Sequence, residues 1–75
     1  MNTVEIPVPS VVPRSILSKS QKHAIITMLN RRWHGEAAKI ERSADDMNDI
    51  IVVTADADPS AIEGSIKTIL LRSVS

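Results

Sequence analysis

The chain has no cysteine, no phenylalanine and no tyrosine, and its 75 residues include two glycines and a single tryptophan, Trp33. Each shortage closes a class of explanation. Without thiols there are no disulfides, no thiolate metal centres and no cysteine nucleophile, a composition that suits a reducing compartment. With one aromatic ring, stacking along a single strand of nucleic acid lacks its platforms. Two glycines cannot build a phosphate-cradling loop, and no G-x-S-x-G motif presents any serine as a nucleophile. No stretch approaches the ~18 consecutive apolar residues of a membrane span. No basic segment followed by an apolar run opens the chain as a secretory signal would. From these absences we expect a protein that is not an enzyme, carries no cofactor or metal, does not enter membranes, and works in the cytoplasm of the cell that makes or hosts it.

What is present is ordinary for a folded domain, with 43% hydrophobic and 24% charged residues, too apolar for intrinsic disorder. A chain of this length makes one domain, residues 1–75, and buries only about 60–65% of its unfolded surface. Its stability margin is thin, and without disulfides or a metal the usual compensation is oligomerisation. The core has to be aliphatic.

The formal net charge of zero is a cancellation. Residues 1–34 hold five bases (Arg14, Lys19, Lys22, Arg31, Arg32) against Glu5, a balance of +4. Residues 35–75 hold four bases (Lys39, Arg42, Lys67, Arg72) against eight acids (Glu36, Glu41, Asp45, Asp46, Asp49, Asp56, Asp58, Glu63), a balance of −4. Such a split suits a molecule that binds something charged, or its own copy head to tail.

Hydrophobic periodicity predicts five elements. Residues 3–8 alternate Val4, Ile6 and Val8 with Glu5 and Pro7, a strand confined to a sheet edge by its prolines. Residues 1–13 are thus an edge strand or an extended arm. Ser18 and Gln21 form a capping-box pattern. In the helix that follows, Lys22, Ile25, Ile26, Leu29 and Trp33 share one stripe, while Lys19, His23, Thr27, Asn30 and Arg31 lie opposite. Arg31 and Arg32 suit the negative end of the helix dipole, and Gly35 is placed to end the helix in a left-handed conformation. Residues 36–43 read as a strand with Ala38 and Ile40 inward. The turn-rich 44–48 leads to a second strand, 49–55, whose β-branched run 50–53 marks it as central. Asp58 and Pro59 start a last helix with Ile62, Ile66, Ile69, Leu70 and Ser73 on its apolar stripe. The order β-α-β-β-α predicts a small two-layer α+β sandwich, both helices on one face of a three-stranded sheet. The other face of the run 50–53 would then stay partly open, and Leu71, pointing away from its stripe, would be exposed. Both features suit a homodimer.

Few residues carry chemistry. His23 and His34 lie eleven positions apart, about 16 Å along a helix, too far to share a metal. Asp45, Asp46 and Asp49 gather with Asn48 around the turn and could in principle meet a divalent cation, but forming the turn is the commoner role of such acids. The D-x-D at Asp56 and Asp58 fails as a calcium loop, because Ala61 and Lys67 stand where glycine and glutamate are needed. The stretch Arg31-Arg32-Trp33-His34, with Lys19 and Lys22 further back, combines the side chains favoured at binding hot spots. It is the first candidate interface, and the acids Asp45, Asp46 and Asp49 are the second. The expected function is therefore a small protein-binding module, an inhibitor or adaptor docking on a larger protein, of the size that phages and mobile elements often encode. The alternative is a nucleic-acid-binding regulator using the basic first helix. Neutral net charge and a hairpin in place of a second helix at helix-turn-helix spacing count against it.

Overall fold

The β-branched run 50–53 occupies the middle of a three-stranded antiparallel sheet in the computed structural model, which describes residues 1–35 and 37–74. Strand β1 is Asn2–Pro7, β2 is Ala38–Arg42 and β3 is Asp49–Ala55; helix α1 is Lys19–Arg32 and α2 is Pro59–Val74. The sheet order is β1-β3-β2. Because β3 is antiparallel to both neighbours, β1 and β2 are parallel to each other, joined through α1. Both helices pack on one face, α1 over β2 and α2 over β1, and against each other. This is the expected α+β sandwich.

Period-2 alternation sorts the sheet residues. Val4 and Ile6 pair with Val53 and Ile51, which pair in turn with Ala38 and Ile40. All six belong to the inner face and join Ile25, Leu29, Ile62, Ile66 and Leu70 in one aliphatic core. Burial at about 25 cal/mol per Å² of apolar surface is the main stabilising term available to it. The outer face of the run 50–53 is partly open, as expected, at Ile50, which is half-buried, but not at Val52. Val52 stands there between Glu5 and Lys39, and it is buried at 5% exposure. Thr3 and Thr54 hydroxyls meet at 2.9 Å, and Lys39 Nζ reaches Glu41 Oε1 at 2.8 Å. Long polar side chains such as Glu5 and Lys39 can shield a neighbouring apolar residue with their aliphatic stems, and Val52 is flanked by both.

The N-terminal segment is shorter in β form than its alternation suggests. Pro7 ends the strand, and Val8–Ser10 forms a short 3-10 helix whose turn buries Val8 completely. Residues 8–13 are therefore a compact turn and not an extended arm. Val12 and Leu17 are drawn into the core, and Ser10 Oγ donates to the Pro7 carbonyl at 2.6 Å.

Helix α1 starts with the expected reciprocal capping box. Gln21 N–H donates to Ser18 Oγ at 3.2 Å, and Ser18 N–H donates to Gln21 Oε1 at 2.9 Å. Its end corrects two expectations. The left-handed residue is His34, at φ 59°, and Gly35 follows at φ 130°. Gly35 N–H reaches back to the Asn30 carbonyl at 3.0 Å, a Schellman closure. Asn30 does not face solvent. Its Oδ1 accepts from Ala37 and Ala38 N–H at 3.0 and 2.9 Å, anchoring the start of β2 and filling the sheet edge there. Glu36, where the strand was expected to begin, lies outside the described residues. Helix α2 opens as Asp58 and Pro59 predict, with Ser60 N–H donating to Asp58 Oδ1 at 3.2 Å.

A side chain at φ 59° carries a local steric cost that glycine avoids. We predict that His34→Gly, which deletes an exposed side chain, raises stability by about 0.5–1 kcal/mol. A thermal melt unchanged or lowered by this substitution would show that His34 makes contacts outweighing its conformational cost.

Candidate functional site

The two helices present matched flanks toward solvent beside their shared apolar seam. On α1 the spacing i, i+3, i+4 places Met28, Arg31 and Arg32 on one flank. On α2 the spacing i, i+3, i+4, i+7 does the same for Ser65, Thr68, Ile69 and Arg72. These seven residues line a cleft of about 530 Å³. Met28 and Ile69 supply apolar surface and three guanidinium groups supply positive charge. None of the three arginines has a carboxylate within 4 Å among the described residues. Arg32 also stacks on Trp33, its Cζ 4.4 Å from the ring centroid, which stiffens the side chain and favours one presentation of its charge.

The sequence-predicted basic group is not one surface. Arg31 and Arg32 reach the cleft. Lys19 is exposed in the first turn of α1, about 18 Å from Arg31 along the axis. Lys22 turns toward the interior and stands 3.8 Å from Asp49 Oδ2. His34 is exposed beyond the helix end. Trp33 packs against the core, half-buried, and its Nε1 is buried with no acceptor among the described residues. Arg72 was missed as a site residue because its own helix gives it an ordinary role, a cation in the last turn. The only available signal was that its flank adjoins the apolar stripe on the side that has to meet another helix.

The acidic group is likewise divided. Asp49 opens β3 on the inner face and is buried at 1% exposure. Its Oδ2 accepts from Leu17 N–H at 2.8 Å and its Oδ1 from Arg42 Nε at 3.1 Å. It is a structural ion pair and no part of an acidic surface. Hydrogen bonding to Asp49, with its negative charge, holds the Arg42 guanidinium above its ordinary pKa.

Asp45 and Asp46 stay at the hairpin tip. Asp45 Oδ1 accepts from Ser43 Oγ at 2.6 Å and from Met47 N–H at 3.1 Å. These two bonds hold its carboxyl below the ordinary 3.8, so it is ionised at neutral pH. A depressed carboxyl stabilises the turn fully above that ordinary value, and the contribution is lost as pH falls through the lowered one. Asp46 sits at φ 61° and meets Arg42 Nη1 at 3.3 Å, its side chain still 80% exposed. Met47 beside it is 68% exposed. No trio of acids and histidines among the described residues is placed to hold a metal ion.

Leu71 is 49% exposed on the flank of α2 turned from α1. It borders a cavity of about 280 Å³ with Val11, Val12, Pro13, Arg14 and Val74. No helix among the described residues is long and apolar enough to cross a membrane. The chain matches no protein-family model, no curated protein and no solved structure.

Three substitutions at two positions test the scaffold. Asp49→Ala leaves the Leu17 N–H buried without an acceptor and strands two cations, a loss of about 3 kcal/mol. Circular dichroism should show a large drop in melting temperature, and a melt within a few degrees of the parent would refute the structural role. Trp33→Phe keeps the packing and removes an indole N–H that has no partner among the described residues, so its melt should lie close to the parent's. Trp33→Ala should cost about 2–4 kcal/mol through the cavity it leaves.

Proposed function

We propose that this chain is a small non-enzymatic binding module that docks on a larger protein, as an inhibitor or adaptor, through the cleft between α1 and α2. The observation that carries the reading is the convergence there of Arg31, Arg32 and Arg72, without carboxylate partners among the described residues, around Met28 and Ile69. Unpaired guanidinium groups beside apolar surface favour a protein segment that brings carboxylates and an apolar side chain together. Arginine suits this role because its fork meets a carboxylate through two bonds and is only weakly hydrated.

A nucleic-acid duplex would use the charges but not the apolar floor. Two of the basic residues expected to extend along the first helix do not join the cleft: Lys22 is paired with Asp49, and Lys19 lies at the opposite end. The one aromatic ring is stacked against Arg32 and packed on the core, which leaves no base-stacking platform. These points favour a protein partner over nucleic acid in our reading.

The test compares the parent chain with Arg31→Ala/Arg32→Ala/Arg72→Ala, whose exposed positions should leave the melt nearly unchanged. A partner captured from the producing cell and then purified should bind the parent and lose at least tenfold in affinity for the triple variant. Equal affinity for both would remove the cleft from the interface. Micromolar binding to duplex DNA with a steep fall against log salt would replace this reading with the nucleic-acid one.

A further inference from the structure

We infer that the cleft between α1 and α2 receives the β2–β3 hairpin tip of a second copy of this chain, so that the protein associates head to tail. The inference rests on the reading of the cleft as a protein-binding site and names one segment that fits it. The two surfaces belong to the same molecule and are complementary in both charge and polarity. The cleft offers Arg31, Arg32 and Arg72 around Met28 and Ile69, in a volume of about 530 Å³. The tip offers the carboxylates of Asp45 and Asp46 beside the exposed thioether of Met47.

The tip is built to present these groups. Ser43 Oγ and Met47 N–H fix Asp45 through one carboxylate oxygen, Oδ1, and leave Oδ2 without a partner among the described residues. Arg42 takes Oδ1 of Asp46 and likewise leaves Oδ2. Each acid can therefore meet an incoming guanidinium without undoing the turn. Met47 is a large apolar side chain standing in solvent at 68% exposure, next in sequence to two acids. Methionine adapts its shape to an irregular apolar floor such as Met28 and Ile69.

The tip belongs to the far end of the β2–β3 hairpin and contacts its own Arg42, not its own cleft, so the complementarity is met between copies. A contact of this kind is heterologous. Each copy uses its cleft on one neighbour and its tip on another, and assembly continues unless a ring closes. The charges drive it, so it weakens with salt, and the zero net charge lets copies approach without long-range repulsion.

The experiment uses two variants of the full chain. Arg31→Glu/Arg72→Glu disables the cleft and leaves the Arg32–Trp33 stack in place. Asp45→Asn/Asp46→Asn/Met47→Ser disables the tip; asparagine accepts the same turn bonds and tolerates positive φ. Melts of both variants confirm that they fold. In sedimentation equilibrium at low salt the parent's mass should rise with concentration, and its association constant should fall at least tenfold from 50 to 500 mM salt. Each variant alone should stay at the 8.2 kDa of one chain. An equimolar mixture should form a 1:1 dimer and nothing larger, because one intact cleft meets one intact tip. A parent that stays monomeric up to millimolar concentration, or association that persists in both variants, overturns the inference. A monomeric parent whose captured partner is still lost on removing the three arginines would sink self-association alone. Capture indifferent to those arginines would remove the underlying reading of the cleft as well.

Discussion

One buried carboxylate ties together the parts of this molecule that its short core could not hold alone. Asp49 accepts from the Leu17 N–H of the β1–α1 connection and from Arg42 of β2, stands near Lys22 of α1, and donates its own N–H to the Ser15 carbonyl. It is thus a junction between the sheet and the segment that delivers the first helix. A carboxylate taken out of water is tolerated only when its oxygens are met by donors and its charge by cations, and here both conditions are satisfied. The core has half-buried Trp33 as its one ring and otherwise only aliphatic side chains. Those side chains pack without directional bonds, so polar pins such as this one and the Asn30 carboxamide are what select a single arrangement of the connections.

The same ion pair reshapes the surface. By taking Lys22, Arg42 and Asp49 it subtracts two bases and one acid from the unpaired charge of the chain. Among the charges that stay exposed, two groups stand beside apolar surface: Arg31, Arg32 and Arg72 in the cleft with Met28 and Ile69, and Asp45 and Asp46 at the hairpin tip with Met47. Arg72 comes from the half of the sequence with negative balance, yet it completes the positive site because α2 packs against α1 and its flank lines the same cleft. The polarity of the folded molecule is therefore related to the polarity of its sequence but is not a copy of it.

Much of the fold was legible in the residues themselves. The capping box at Ser18 and Gln21, the Asp58-Pro59 start, the central β-branched run and the aliphatic stripes of both helices act through neighbours within a few positions, or through periods of 2 and 3.6. Their consequences appear where local geometry puts them. Pattern alone failed where a residue's role was set by something distant. His34 as well as Gly35 took a positive φ because the helix runs to Arg32 and the closure onto Asn30 counts from there. Asn30 read as a solvent residue from its angle on the helix wheel, while its carboxamide in fact serves backbone donors seven and eight residues ahead.

The candidate site divides the same way. That arginines end the first helix and that acids form the hairpin turn was determined by sequence, since dipole and turn preferences are local properties. Which charges stay in water was decided only by tertiary structure: Asp49 went inside because the inner face of β3 begins there, and Lys22 followed it. The cleft too exists only in three dimensions. Two helix flanks separated by more than thirty residues become one surface when the seam of Ile25, Leu29, Ile66 and Leu70 closes between them, and no periodicity within either helix can announce that meeting.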